Sequence, residues 1–187
     1  MKYFPFAKNA MKQDSVPVFD RAAQKKFDTA FKRQLVAYLK HLDKIADRLG
    51  APAYKFFRFG FAEASLHDGF LLSFNMGDRV VAGEKIVRKL RFGREESTVR
   101  MLILNYAQDM LHVFEFRRLR KVVVDIPTSD PIWFKPGKTL GQIYSYEVVA
   151  ISPKYLRVEW LLDSGGEIIV EFEKLIYRGT KVAPSKR

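Results

Sequence analysis

Residues 155–172, YLRVEWLLDSGGEIIVEF, contain two runs in which apolar and polar side chains alternate, separated by the turn-forming sequence DSGG at 163–166. Alternation with a period of two places successive side chains on opposite faces of a strand, so each run predicts a strand with one buried face. A similar run at 142–152 precedes them and ends at Pro153. The three segments 142–152, 155–162 and 167–177 therefore predict an antiparallel meander.

Further strand-like segments surround this meander. The runs 122–126 and 132–134 are short and apolar and are expected to join the same sheet, which a small β-barrel would close. Upstream, we predict strands at 54–63, 70–75, 79–81 and 86–92. The stretch 98–116 fits either a helix or two strands that turn at Gln108 and Asp109, and its β-branched and aromatic content favours the strands.

The N-terminal region carries a helix signal. Asp20 can cap a helix start, Gly50 and Pro52 mark its end, and the apolar residues between recur every three or four positions, which predicts an amphipathic helix over 21–49. Lysines and arginines occupy the face opposite the apolar stripe: Lys25, Lys26, Lys32, Arg33, Lys40, Lys44 and Arg48. The fold class expected is α+β and β-dominated, with one long N-terminal helix followed by antiparallel β-structure ending in a small barrel.

Composition limits the function classes. The 187 residues carry a formal charge of +12, and residues 1–50 alone hold 11 lysines and arginines against 5 aspartates and glutamates. Such a chain attracts polyanions, including nucleic acid. Without cysteine it has neither disulfides nor thiolate metal sites, and without an apolar run of about 20 residues it predicts no membrane span, so we expect a cytoplasmic protein.

One basic run stands out within the β-rich half. Residues 117–121 read RRLRK and directly precede the strand-like run 122–126. Guanidinium groups bind phosphate or carboxylate through two parallel hydrogen bonds, so four cations at the mouth of a strand predict an anion site.

The same run, continued as RRLRKVVVDIP at 117–127, resembles the start of a PilZ domain, where an arginine-rich linker leads into the first strand of a six-stranded barrel. The segment AISPKYLRV at 150–158 resembles the second signature of that family, with Ser152 matching and with Ala150 and Tyr155 replacing an acidic or amide residue and a glycine. In the family, the two motifs together bind cyclic di-GMP and pass the signal to a partner without chemistry. The resemblance implies these ligand-binding residues here: Arg117, Arg118, Arg120, Lys121 and Ser152. Lys121 stands where the family has its second arginine.

The division of the chain follows from these segments. We predict an N-terminal segment and helix at 1–50, a β-rich region at 51–113, a PilZ-like barrel at 114–178 and a disordered basic tail at 179–187. No catalytic pattern accompanies them. His41, His67 and His112 share no metal-ligand spacing, and the Gly-Lys-Thr at 137–139 lacks the earlier glycine of a phosphate-binding loop, so neither an enzyme nor a cofactor is expected.

Three functions fit these observations. The first is a non-enzymatic regulatory or adaptor protein that binds an anionic ligand, such as a cyclic dinucleotide, or a protein partner through the run 117–121. The second is a nucleic-acid-binding protein that uses the basic helix face, with contacts from Lys25, Lys32, Arg33, Lys40, Lys44 and Arg48. The third is an immunity or anti-defence module that acts by protein–protein contact; the oligomeric state is left open by the sequence.

Overall fold

The computed structural model describes residues 2–3, 21–60, 66–76, 79–80, 97–126 and 140–182. Helix α1 spans Arg21–Lys44, and a single turn, α2, spans Ala46–Leu49. Gly50 follows with a φ of 76°, a left-handed conformation that favours glycine. The helix predicted over 21–49 is therefore confirmed, with an irregularity at Ile45. The proposed cap, Asp20, lies outside the described residues.

A third helix, α3, spans Ala51–Phe59, so the strand predicted over 54–63 is wrong. Pro52 does not stop a helix here but lies in the first turn of α3. Backbone N–H groups in that turn have no partner within the helix, so proline costs no hydrogen bond there. Ala53, Phe56 and Phe57 are buried at helical spacing. Packing of these rings against the sheet overrides the β preference of the aromatic residues, which is a weak preference on its own.

Within the described residues, seven strands form one antiparallel sheet in the order β2-β1-β3-β4-β7-β6-β5. Their bounds are β1 Phe70–Met76, β2 Arg79–Val80, β3 Thr98–Leu104, β4 Met110–Asp125, β5 Ile143–Ala150, β6 Leu156–Leu162 and β7 Glu167–Lys181. The predicted meander is confirmed as β5-β6-β7, and the two-strand interpretation of 98–116 is confirmed by β3 and β4. The strands predicted at 86–92 and 132–134 and the turn at 137–139 lie outside the described residues.

Strands β4 and β7 are longer than predicted, at 16 and 15 residues, and they pair along almost their whole length. The predicted boundary at 113/114 falls inside β4, so it does not separate two structural regions. The predicted tail at 179–187 is wrong for its first residues, because Thr180 pairs with Leu111 and Lys181 pairs with Met110. Residues 183–187 lie outside the described part of the chain.

The long pair joins two groups of strands. β3 pairs with the first part of β4, and β6 pairs with the first part of β7. The outermost strands in the sheet order, β2 and β5, do not pair with each other, so the closed barrel stays a prediction. One antiparallel bridge, between Phe70 and Gln142, brings the start of β1 to the chain that enters β5. The adjacent backbone bonds from Leu71 N–H to Gly141 O and from Ile143 N–H to Gly69 O are 2.9 and 2.7 Å.

Helix α1 covers the outer edge of β5. The Val148 N–H donates to the Tyr38 hydroxyl at 3.0 Å, and the Ala150 N–H donates to His41 Nε2 at 3.2 Å. Tyr38 is fully buried, and burial raises the pKa of its hydroxyl. An exposed strand edge invites pairing with other chains, so these side chains protect it.

Candidate functional site

The basic run 117–121 lies inside β4, not in a linker before a strand. Arg118 adopts a left-handed conformation with a φ of 54°, and the pairing register with β7 shifts between Leu119 and Lys121. β3 ends its pairing with β4 at Arg117, opposite Thr98. Such irregularities bend a strand and redirect its side chains. The run therefore marks a corner of the sheet, where β4 leaves β3.

Two glutamates of β7 lie beside this corner. Glu171 pairs with Lys121 in the backbone register, and its side chain is 4% exposed. Glu173 is 18% exposed and lies near the Arg118 guanidinium. Carboxylates at such positions need a charged partner, because removing a charge from water without one is costly.

Two other cations hold these glutamates closely. Arg157 of β6 donates from Nε and Nη2 to Glu171 Oε1 at 3.1 and 2.7 Å, and this pairing raises the pKa of the guanidinium. Lys154 Nζ lies 2.8 Å from Glu173 Oε1. That hydrogen bond raises the pKa of Lys154 and lowers the pKa of Glu173. Both glutamates thus have a close cationic partner before any ligand is considered.

Arg118 and Arg120 of the run lie farther from these glutamates. Arg118 Nη1 is 3.8 Å from Glu173 Oε2, and Arg120 Nε is 3.5 Å from Glu171 Oε2. Both side chains are more than half exposed, at 58% and 55%. Each guanidinium group carries five N–H donors, and both groups are exposed enough for an anion to reach them.

The ring of Tyr155 lies near two cations. The Arg120 guanidinium carbon is 5.6 Å from the ring centre, and Lys154 Nζ is 5.3 Å from it. These are cation–π distances. Ser152 shapes the turn that presents this ring, because its Oγ accepts the N–H groups of Lys154 and Tyr155 at 3.3 and 3.0 Å. We call these residues and the ion pairs beside them the corner surface: Arg118, Arg120, Lys154, Tyr155, Arg157, Glu171 and Glu173.

The structure brings some of the predicted site residues together and not others. Arg118 and Arg120 belong to the corner surface, and Ser152 supports it through the two backbone N–H bonds that its Oγ accepts. Arg117 turns to its own strand, with Nε at 2.6 Å from Glu115 Oε1. Lys121 is exposed and has no ion-pair partner among the described residues. Arg117 is thus engaged within β4, and a shared site for all five residues stays a prediction.

Sequence reasoning missed Lys154, Arg157 and the two glutamates as members of this surface. One of these pairings had a signal, because Arg157 and Glu171 are opposite each other in the β6–β7 hairpin that the turn at 163–166 defines. Directly opposite residues of unlike charge stabilise a sheet. The pairing of Lys154 with Glu173 had no signal in the sequence, since it depends on how the 151–155 turn folds over β7.

The basic face of α1 is a second cationic surface. Its first part carries five exposed cations, Lys25, Lys26, Lys32, Arg33 and Lys40. Lys44 is also exposed, but it follows Asp43, which binds Arg58 at 3.2 Å and the Tyr54 hydroxyl at 2.7 Å. Arg48 differs from these cations because it is partly buried, with Nη2 shielded from solvent.

The histidines have structural surroundings. His112 is fully buried, its Nδ1 lies 2.9 Å from the Tyr177 hydroxyl, and burial lowers its pKa to about 4. Burial also raises the pKa of Tyr177 to about 12. His41 is occupied at the β5 edge, and burial together with Lys2 and other cations lowers its pKa. Among the described residues, no group of three or more histidines and carboxylates is placed to hold a metal ion.

One buried carboxylate lies outside both cationic surfaces. Glu147 of β5 is fully buried, and the backbone N–H groups of Lys2 and Tyr3 donate to its two carboxylate oxygens. Burial raises the pKa of Glu147 against these bonds, which lower it. The Tyr3 ring packs 5.4 Å from Tyr38. Residues 2–3 thus cover the outer face of β5 next to α1.

Comparison with known proteins gives no relative for this chain: no family model, no curated protein and no solved structure matches it. None of the helices in the described ranges combines the length and apolar character required to cross a membrane.

Proposed function

We propose that the protein is a non-enzymatic regulatory protein that binds a phosphate-bearing nucleotide at the corner surface. The observation that carries the proposal is the meeting of two segments far apart in the chain. Arg118 and Arg120 come from the bend of β4, and Lys154 and Tyr155 come from the turn between β5 and β6. The sequence resemblance links these same two segments to one ligand site.

The ion-pair distances support an anion as the ligand. Glu171 and Glu173 already have close partners at 2.7 and 2.8 Å, in Arg157 and Lys154. An incoming phosphate that binds Arg118 and Arg120 therefore leaves no buried carboxylate unpaired, and it gains the strong bidentate bonds that guanidinium groups form with phosphate. The two glutamates act against non-specific anions by keeping the local net charge low.

The Tyr155 ring supports a nucleotide over a simple phosphate. Aromatic rings next to guanidinium groups stack on nucleobases, a contact worth about 1–3 kcal/mol per base. Here the Tyr155 ring is partly exposed, and the Arg120 guanidinium lies close enough to bind the phosphates of the same ligand. A cyclic dinucleotide offers both a base and two phosphates, and cyclic di-GMP is the first ligand to test.

Isothermal titration calorimetry tests the proposal. With cyclic di-GMP we expect saturable binding to the wild type, and at least a tenfold loss of affinity in Arg118→Ala/Arg120→Ala and in Tyr155→Ala. The matched control is Arg100→Ala/Arg178→Ala, which removes the same charge from exposed positions on β3 and β7. It should bind within about twofold of the wild type.

Two results would overturn the proposal. One is the absence of heat with cyclic di-GMP, cyclic di-AMP and the linear dinucleotide pGpG at millimolar ligand. The other is an equal loss of affinity in both double variants, which would mean that binding follows net charge and not the corner surface.

A further inference from the structure

We infer that the basic face of α1 binds the phosphate backbone of nucleic acid without reading its sequence. This surface is separate from the corner surface and does not depend on the function proposed for it. It consists of Lys25, Lys26, Lys32, Arg33 and Lys40, all exposed. None of the five forms an ion pair with a carboxylate of the described residues.

The first part of α1 presents this face away from the core. No residue between 25 and 37 is buried, whereas Tyr38, Leu42, Ile45 and Leu49 are fully or almost fully buried. At about 1.5 Å per residue, Lys25 and Lys40 are about 22 Å apart along the helix axis. At 100° per residue, the five cations fall within about one third of the helix circumference. They therefore form a line of positive charge that matches a linear polyanion.

A groove lies along the start of this line. Its volume is about 520 Å³, and its lining includes Lys25, Lys26, Thr29, Ala30 and Arg33. The Thr29 hydroxyl donates to the Lys25 carbonyl at 2.8 Å, so the residue between the cations is uncharged and bonded within the helix. Cations that line a groove can contact phosphates while sugars occupy the space between them.

The distribution of apolar residues favours nucleic acid over an anionic membrane. A helix that binds a membrane surface buries its apolar face in the lipid. From Phe31 onward that face is used by the protein itself, because Phe31, Leu35 and Leu39 pack against the core and Tyr38 and Leu42 belong to it. Phe27, in the first turns of the helix, is 46% exposed and stacks on Phe31. Within the described part of the basic face, Val36 is the one large apolar side chain, at 53% exposure. The face can make charge contacts but cannot insert.

The expected binding has a distinct salt dependence. If four of the five cations each neutralise a phosphate of duplex DNA, the logarithm of the affinity falls with the logarithm of salt concentration with a slope of about −3.6. Raising salt from 50 to 200 mM then weakens binding about 150-fold. Sequence changes in the DNA should alter the affinity little, because phosphate contacts carry no base information.

Fluorescence anisotropy with a labelled 20-base-pair duplex and a labelled 20-nucleotide RNA tests the inference on the full chain. The variant Lys25→Ala/Lys32→Ala/Arg33→Ala should bind at least tenfold more weakly, and its salt slope should fall by about two to three. The matched control, Arg100→Ala/Lys174→Ala/Arg178→Ala, removes the same charge from exposed strand positions and should bind within threefold of the wild type. Circular dichroism checks that both triple variants fold.

The inference is wrong if the wild type binds neither nucleic acid at 50 mM salt, or if both triple variants lose the same affinity. Binding that is insensitive to salt would also overturn it. The variant Arg118→Ala/Arg120→Ala separates this inference from the proposed function, because it should lose the dinucleotide and keep the duplex.

Discussion

The two cationic surfaces hold their charge in different ways. At the corner surface, glutamates of β7 lie among the arginines and lysines, and two of the cations are committed to them at 2.7 and 2.8 Å. Along the first part of α1, five cations are exposed without a described carboxylate partner. A surface with compensating acids selects a ligand by geometry, whereas one without them attracts any polyanion by its field. The basic character of the chain therefore has two different consequences.

Acid should affect the stability of the two surfaces differently. The contribution of His112, a buried histidine in β4, must be removed before that difference can be measured. Burial lowers the pKa of His112 to about 4, below its ordinary value of 6.5. As the pH falls from 7, the unfolded chain binds the proton first, so stability is lost between about pH 6.5 and pH 4. The expected loss in the free energy of unfolding from this residue is about 3 kcal/mol.

Urea denaturation of wild type and His112→Phe at pH 7, 5.5 and 4 checks this prediction. The variant keeps an aromatic ring in the cluster with Phe56 and cannot titrate, so it should lose less stability in acid. His67→Ala, at an exposed histidine, is the control and should follow the wild type. Parallel curves for all three proteins would show that His112 does not control the acid response. In the His112→Phe background, any remaining acid loss reports the carboxylates, including those at the corner surface.

Removing one carboxylate from each region sharpens the comparison at neutral pH. Glu171→Ala leaves Arg157 without its closest partner and should lower the free energy of unfolding by about 2 kcal/mol. The effect is below the roughly 3–5 kcal/mol of fully buried pairs, because Arg157 is 34% exposed and keeps Glu159 at 3.4 Å. Asp43→Ala in α1 removes a contact with Arg58. The Asp43 side chain is 49% exposed, so this substitution should lower the free energy of unfolding by less than about 1 kcal/mol.

Chemical denaturation at pH 7 with a constant m value measures both changes. Equal costs for Glu171→Ala and Asp43→Ala would break the comparison, because the corner carboxylates would then be ordinary surface charges. A Glu171→Gln variant tests the cause: it keeps the shape and an acceptor oxygen, so most of its cost comes from the lost charge.

The sequence predicts the parts of this molecule that depend on short-range pattern. The meander follows from the alternation in 155–172 and its turn, and the hairpin register that places Arg157 opposite Glu171 follows from that turn. The α3 helix could not be predicted, because its aromatic residues favour strands until they pack against the sheet. The corner surface could not be predicted from short-range pattern either. Its arginines are visible in the sequence, but their meeting with Lys154 and Tyr155 requires β4 and β7 to pair across more than 40 residues.

The smallest expected effects concern the backbone at the two surfaces. There the same change, arginine to glycine, should shift the free energy of unfolding in opposite directions. Arg118 has a φ of 54°, which costs an L residue with a side chain about 1 kcal/mol or more. Arg118→Gly relieves this strain but loses the long contact with Glu173, so it should raise the free energy of unfolding by about 0.5 kcal/mol. Arg33→Gly, in the exposed part of α1, should lower it by about 1 kcal/mol, because glycine disfavours a helix interior. Arg118→Ala and Arg33→Ala separate backbone from side-chain effects, and thermal and urea unfolding measure all four variants. If Arg118→Gly is less stable than Arg118→Ala, the left-handed residue is not a source of strain, and the bend in β4 is held by the side chains of the corner surface instead.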